Sequence, residues 1–263
     1  MVVDLMSVLV CFHAHPDDEV FGTGGIIRLA ADAGHRVVLV TATDGAAGEV
    51  PDGLLAESES LASRRRTELE KSARILGAAR LVMLHYADSG MAGTPENNNP
   101  AAFANIPVDE SAGRLADILT EENADVVTIY DSNGGYGHPD HIQVHRVGLR
   151  AAEIAGIEFV YETVINRDHM REMLLANPEW NNDESPIDFD SFGTPDAEIT
   201  TEIDVGETLT AKRAAMEVHE TQIGDFGPVL KMSDEELRAA FGTEWFRRIG
   251  DVFDGPREHS LPL

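Results

Sequence analysis

The stretch Val8-Leu9-Val10-Cys11-Phe12-His13-Ala14-His15-Pro16-Asp17-Asp18-Glu19, residues 8–19, runs from an apolar sequence into three successive carboxylates. Ser7–His13 is nearly all apolar rather than alternating, the pattern of a strand covered on both faces. Pro16 follows where a helix begins, since its fixed φ and missing N–H do no harm at a first helical position. A helix is expected over Asp17–Ala33. Outward from here, short apolar runs keep alternating with longer amphipathic ones. Strands are expected over His35–Thr43, Leu81–Leu84, Asp125–Tyr130 and Phe159–Val164, and helices over Leu61–Leu76, Asp109–Glu122, His141–Ala155 and His169–Ala176. Such a succession builds a Rossmann-like, doubly wound and mostly parallel α/β sheet.

Past Ala176 the texture changes. Asn177–Ala197, rich in Pro, Asn, Asp and Ser, reads as a long loop. A strand over Glu198–Val205, a helix over Thr208–His219 and a further helix with Ser233 as N-cap and Glu236 in the capping-box position follow. The expected organisation is a catalytic domain, residues 1–176, and a small α+β extension, residues 177–263, that packs on or covers the site. The long segments Asp44–Ser60, Tyr86–Val108 and Asp131–Pro139 all follow strands. They therefore lie at the carboxyl edge of the sheet, where open α/β folds bind ligands.

Composition narrows the function. The 263 residues, 43% of them hydrophobic, are enough for a substantial core. Against 20 Lys and Arg stand 47 Asp and Glu, a formal charge of −27. That surface repels phosphate backbones and anionic headgroups, which argues against nucleic-acid and membrane partners. Solubility or a salt-rich setting accounts for the excess. The single cysteine, Cys11, excludes an internal disulfide and a Cys-rich zinc module, and its apolar setting predicts an inert thiol. The first residues lack the basic segment of a signal peptide, and no window reaches the roughly 18 apolar residues of a membrane span. A cytoplasmic protein is expected; the oligomeric state stays open.

Two strand ends carry near-copies of one tetrapeptide, His15-Pro16-Asp17-Asp18 and His138-Pro139-Asp140-His141. With Pro as first helical residue, each His takes the N-cap place and the residue three further on falls in the first turn. In the common strand order the first and fourth strands are neighbours at the switch point, so the two motifs face each other across one crevice. His, Asp and His donors meeting there suit zinc, three protein ligands leaving one position open. His15, Asp18 and His141 are the expected ligands. Asp17 and His138 are left beside the metal, where a carboxylate can take a proton from water and an imidazole can assist what leaves. One such motif alone is a common helix start; two together favour a metal.

Ala14–Glu19, taken with Tyr130-Asp131-Ser132-Asn133-Gly134-Gly135-Tyr136-Gly137-His138-Pro139-Asp140-His141, resembles the LmbE-like (PIG-L-type) zinc-dependent N-deacetylases. Within that family the likeness is to the actinobacterial branch of N-acetylglucosaminyl-inositol deacetylases and mycothiol-conjugate amidases, over roughly residues 7–165. The resemblance implies a Rossmann-like sheet, one zinc per chain, with ferrous iron as the alternative ion, and hydrolysis of an amide on a small amino-sugar derivative. By it, His15, Asp18 and His141 match the zinc ligands, Asp17 the general base and His138 the residue assisting oxyanion and leaving group. Asp140 matches a carboxylate behind the ligands that orients a histidine, and Tyr136 a mobile phenol near the reacting carbonyl. Glu49, Arg65 and Asp88 lie in segments that look like the family's sugar-contacting ones. The stretch Asp88-Ser89-Gly90-Met91-Ala92-Gly93-Thr94 favours the deacetylase side over the conjugate-amidase side.

Other residues read as structural. His13 alternates with core positions and His145 lies one turn past His141; His219, in Glu217-Val218-His219-Glu220-Thr221-Gln222, resembles a histidine-containing segment late in some relatives, but unaided it would be a helix-end residue. Gly22-Thr23-Gly24-Gly25 lacks the spacing of a dinucleotide fingerprint and suits close helix packing instead. Two rivals remain: an amidase of a bulky thiol conjugate, and a nucleotide- or sugar-binding module without hydrolysis. A nucleotide-binding module would have to seat phosphates against three carboxylates.

Overall fold

The computed structural model describes residues 6–176, 192–250 and 255–263. β1 (Val8–His13) lies between β2 (Arg36–Thr43) and β4 (Val126–Tyr130), parallel to both. β3 (Arg80–Tyr86) extends the sheet beyond β2, and β5 (Phe159–Val164) extends it beyond β4. The connections are α1 (Asp18–Gly22), α2 (Gly24–Asp32), α3 (Leu61–Leu76), α4 (Val108–Glu122) and α5 (Pro139–Ala155), with α6 (Arg167–Ala176) after β5. Alternate residues of β1 enter two interiors: Val8, Val10 and Phe12 join the cluster with Leu115, Leu119 and Val147 of α4 and α5. Leu9 and Cys11 join the one with Ile27, Leu69 and Leu76 of α2 and α3. This two-sided burial is why the strand reads as an unbroken apolar run. Burial pushes the Cys11 thiol up to about 12, so it is inert.

The extension joins this same sheet. β6 (Thr201–Asp204) and β7 (Thr243–Arg248) pair antiparallel, β7 also pairs antiparallel with β5, and the order is β3-β2-β1-β4-β5-β7-β6. Between them come α7 (Leu209–Glu217), α8 (Ile223–Leu230) and α9 (Asp234–Phe241), the last opened by the expected capping box of Ser233 and Glu236. Val205, Met216, Phe226 and Phe246 lie in the same cluster as Leu9 and Leu69. Of the loop expected over 177–197, residues 177–191 fall outside the described ones.

One local expectation needs correction, and one strand is new. The helix expected over Asp17–Ala33 is broken at Thr23, whose hydroxyl donates to the Glu19 carbonyl at 3.1 Å and lies 2.9 Å from His13 Nε2. Beyond the break, Glu244 of β7 accepts from the Gly25 and Ile26 amides at 2.7 and 2.9 Å, capping the new helix. A Cβ on Gly25 would lie 2.4 Å from the Val205 side chain, so the glycine run does serve close packing. β7 itself is unexpected from sequence, because Glu244 faces inward. Its charge is balanced by fully buried Lys212, 2.7 Å away.

Candidate metal centre

β1 and β4 run side by side, so their carboxyl ends deliver the two His-Pro-Asp segments to one crevice. The second segment folds as expected. His138 is the N-cap of α5, Pro139 occupies the first turn, and the Asp140 amide donates to His138 Nδ1 at 3.1 Å. The first does not: the N-cap of α1 is Asp17, not His15, and Asp17 sits at φ 117°. A non-glycine residue there costs on the order of 1–3 kcal/mol and persists only when its surroundings fix it. Glu19 Oε2 accepts from the Asp17 amide at 2.9 Å. The Arg65 guanidinium lies 3.0 Å from the Asp17 carboxylate and donates to the carbonyls of Pro16 and Gly45 at 2.6 and 2.8 Å.

His15 Nδ1 and His141 Nε2 are 3.3 Å apart. Asp18 Oδ2 lies 3.3 Å from the first and Asp18 Oδ1 3.4 Å from the second. A zinc ion at the usual distance of about 2.0–2.1 Å from each donor requires tetrahedral edges of about 3.3–3.4 Å. The three side chains thus meet in one crevice with nitrogen separations of this size, Asp18 turning a different oxygen to each histidine. All are buried or nearly so, with Asp18 the most open at 15% side-chain exposure. Burial alone would raise the Asp18 carboxyl, but His141 and His15 hold it well below the usual carboxylate range.

The far side of the His15 ring meets carboxylates. His15 Nε2 lies 3.2 Å from Asp140 Oδ2 and 3.5 Å from Asp88 Oδ1. Burial opposes charge on His15, yet Asp140, Asp18 and Asp88 hold its pKa well above the ordinary value. Asp140 is fully buried and also accepts from the amide and hydroxyl of Ser89. A carboxylate on the remote nitrogen of a ligand histidine fixes its tautomer and orientation. Asp140→Asn is accordingly expected to weaken metal affinity about 10–100-fold. Competition with a chelator measures the change; an unchanged affinity would remove Asp140 from this role.

His138 also brings a ring nitrogen within 4.8 Å of those of His15 and His141, so the ring stands at the centre too. Its Nδ1 accepts from the Asp140 amide, which leaves the neutral ring's proton on Nε2. Burial, with His15 and His141 beside it, pulls this imidazole down to about 4. Asp17 moves the other way: burial pushes its carboxyl up to about 6, against the pull of Arg65. Tyr136, half-exposed on the glycine-rich loop before α5, holds its hydroxyl 3.5 Å from His141 Nε2.

Of the three residues expected to meet the sugar, Arg65 and Asp88 border the centre, and both bond the loop that carries Glu49. Glu49 is exposed, and its carbonyl accepts from Gln222 Nε2 at 3.1 Å. Arg65 is buried and turned inward onto Asp17. Asp88 is buried and accepts from the amides of Ala47 and Gly90 at 3.1 and 2.9 Å. Of the histidines read as structural, His13 is buried between Tyr130 and Thr23, and His145 bonds the Tyr130 carbonyl and Glu162. His219, fully buried, lies with Nε2 2.8 Å from Glu19 Oε1. Sequence reasoning gave no role to Glu19 or Ser89, although both stand inside the quoted motifs.

Fold and site together define a doubly wound α/β protein with a buried His/Asp centre able to hold a metal at the switch point. The chain matches the model of the GlcNAc-PI de-N-acetylase (PIG-L) family over residues 10–152 and belongs to that family. It is 40% identical to the 1D-myo-inositol 2-acetamido-2-deoxy-alpha-D-glucopyranoside deacetylase of Acidothermus cellulolyticus, covering 92% of this chain and 88% of that one. Among solved structures it resembles the N,N'-diacetylchitobiose deacetylase of Pyrococcus horikoshii with TM-score 0.60 and 23% identity, over 92% and 84% of the two chains. The 4-carboxy-2-hydroxymuconate hydratase GalB of Pseudomonas putida shares the fold at TM-score 0.58 and 20% identity, over 95% and 99%. A fold that also serves a hydratase leaves the chemistry to be argued from the site. No described helix is long and apolar enough to cross a membrane.

Proposed function

We propose that this protein is a zinc-dependent N-deacetylase of a small N-acetylglucosaminyl compound, with the inositol glycoside named for its relatives as the first substrate to test. The observation that carries the reading is the convergence of His15, Asp18 and His141 in one crevice, with His138 at the same centre and Asp17, next to Asp18 in sequence, held by Arg65. An ion held by these three residues would supply Lewis-acid activation of water and of the acetamide carbonyl. Asp17 takes a proton from the attacking water as its oxygen bonds to the acetyl carbon. His138 Nε2–H, directed by the hydrogen bond on Nδ1, donates to the developing oxyanion, a contribution of order 10²–10³ in rate per donor. The Tyr136 hydroxyl, 3.5 Å from His141 Nε2, acts as a second donor. Asp17 then passes its proton to the nitrogen as the C–N bond breaks, and acetate and a primary amine depart. Burial, which raises the affinity of Asp17 for a proton, suits both halves of this task.

The test is a panel of N-acetylglucosaminyl-inositol, simple N-acetylglucosaminides and a bulky thiol-conjugate amide, scored for released amine with and without chelator. The expected result is turnover of the acetamides, lost on chelation and restored by zinc. Preferential cleavage of the conjugate would move the protein to the amidase side. Turnover that survives complete metal removal would refute the reading.

A further inference from the structure

We propose that His219, contributed by the C-terminal extension, is a positioning residue for hydrolysis that acts on Asp17 through Glu19. This rests on the reading of Asp17 as the base. Three links make the chain. His219 Nε2 lies 2.8 Å from Glu19 Oε1, and Glu19 Oε2 accepts from the Asp17 amide at 2.9 Å. Asp17 in turn holds a backbone conformation, φ 117°, that an aspartate does not keep unaided. Glu19 and His219 are both fully buried, 200 residues apart in sequence, and Ser72 Oγ donates to the same Glu19 oxygen that His219 meets.

The ring of His219 has no other polar purpose among the described residues, because its Nδ1 has no hydrogen-bond partner. A buried Glu–His pair is also a poor device for stability alone, since well-packed apolar side chains of similar volume serve as well or better. What an apolar pair cannot do is accept the amide of Asp17. His219 keeps that carboxylate turned toward the amide, Arg65 holds the other end of Asp17, and the base is fixed between two clamps.

The rest of the same turn is built in the same sense. Thr221 donates through amide and hydroxyl to buried Glu68 of α3, the helix that carries Arg65, at 3.1 and 2.6 Å. Gln222 reaches the Glu49 carbonyl. Residues 219–222 thus tie the extension to the base loop, to the helix bearing its second clamp and to the loop bearing Glu49.

The test compares His219→Gln with His219→Met in the full-length zinc-loaded protein. The two side chains are close in volume, and only Gln keeps a donor at the reach of Nε2. The expected result is a kcat for H219M lower by at least tenfold, KM within twofold of wild type and one zinc per chain. H219Q is expected within about threefold of wild-type kcat. Equal kcat in H219M and wild type, an equal loss in both variants, or a loss confined to KM would overturn the proposal. A zinc-loaded wild type that releases no amine would instead count against the deacetylase reading. The crystal structure of H219M then decides for His219: Asp17 is expected to leave its positive φ, and an unmoved Asp17 overturns the role.

Discussion

Replacing His141 with alanine is expected to remove the metal and, with it, all measurable turnover. His141 Nε2 lies 3.3 Å from His15 Nδ1 and 3.4 Å from Asp18 Oδ1. Structural zinc sites bind with about 10–16 kcal/mol shared among their ligands, so one ligand is worth about 3–4 kcal/mol, or about 10²–10³ in affinity. The water that fills the gap left by the ring is a weaker donor and leaves Asp18 facing His15 alone. Elemental analysis after dialysis against a weak chelator should find one zinc per wild-type chain and almost none in H141A. The control lies on the same helix: His145→Ala removes a ring that bonds the Tyr130 carbonyl and Glu162, and should keep its zinc. A loaded and active H141A would mean that the metal is held elsewhere, for example by His15 and His138.

What the sequence made legible follows from which interactions are local. β1, β2 and β4 bury both faces, and their apolar runs mark them clearly. α3 and β5 fall on their expected bounds, α3 because Ser60 caps one end and Gly77, at φ 87°, closes the other. The two His-Pro-Asp segments needed only the strand order to be brought together. What stayed hidden depends on polar groups that are buried because a distant partner satisfies them. Glu244 breaks the pattern of β7, and its reasons are Lys212 and the start of α2. Glu19 looks like one more surface acid at a helix start, yet it is fully buried against a histidine 200 residues on. Arg65 reads equally as a solvated helix face or a substrate contact, and only the fold turns it onto Asp17. Charge in a sequence defaults to the surface; where it is buried instead, the site is being shaped.

The second large effect separates two neighbours. Asp17 and Asp18 are adjacent carboxylates with opposite environments: burial pushes one up to about 6, while two histidines hold the other well below its usual range. Groups driven apart in this way serve as proton carrier and as permanent anion. Asp17→Asn is therefore expected to keep one zinc per chain and to lose about 10²–10⁴ in kcat, the span of general acid–base catalysis. Asparagine is the informative choice because it keeps the volume, tolerates positive φ better than most residues and still offers Arg65 an acceptor. The loss then reports proton transfer rather than collapse of the loop. KM should move little, since the change removes an interaction made as the water attacks. Asp18→Asn should behave differently, with zinc affinity falling first and activity following it. The two variants need metal analysis and steady-state kinetics on the same preparations. A zinc-loaded D17N turning over at the wild-type rate would assign the base elsewhere, with His138 a remaining group at the centre able to move a proton.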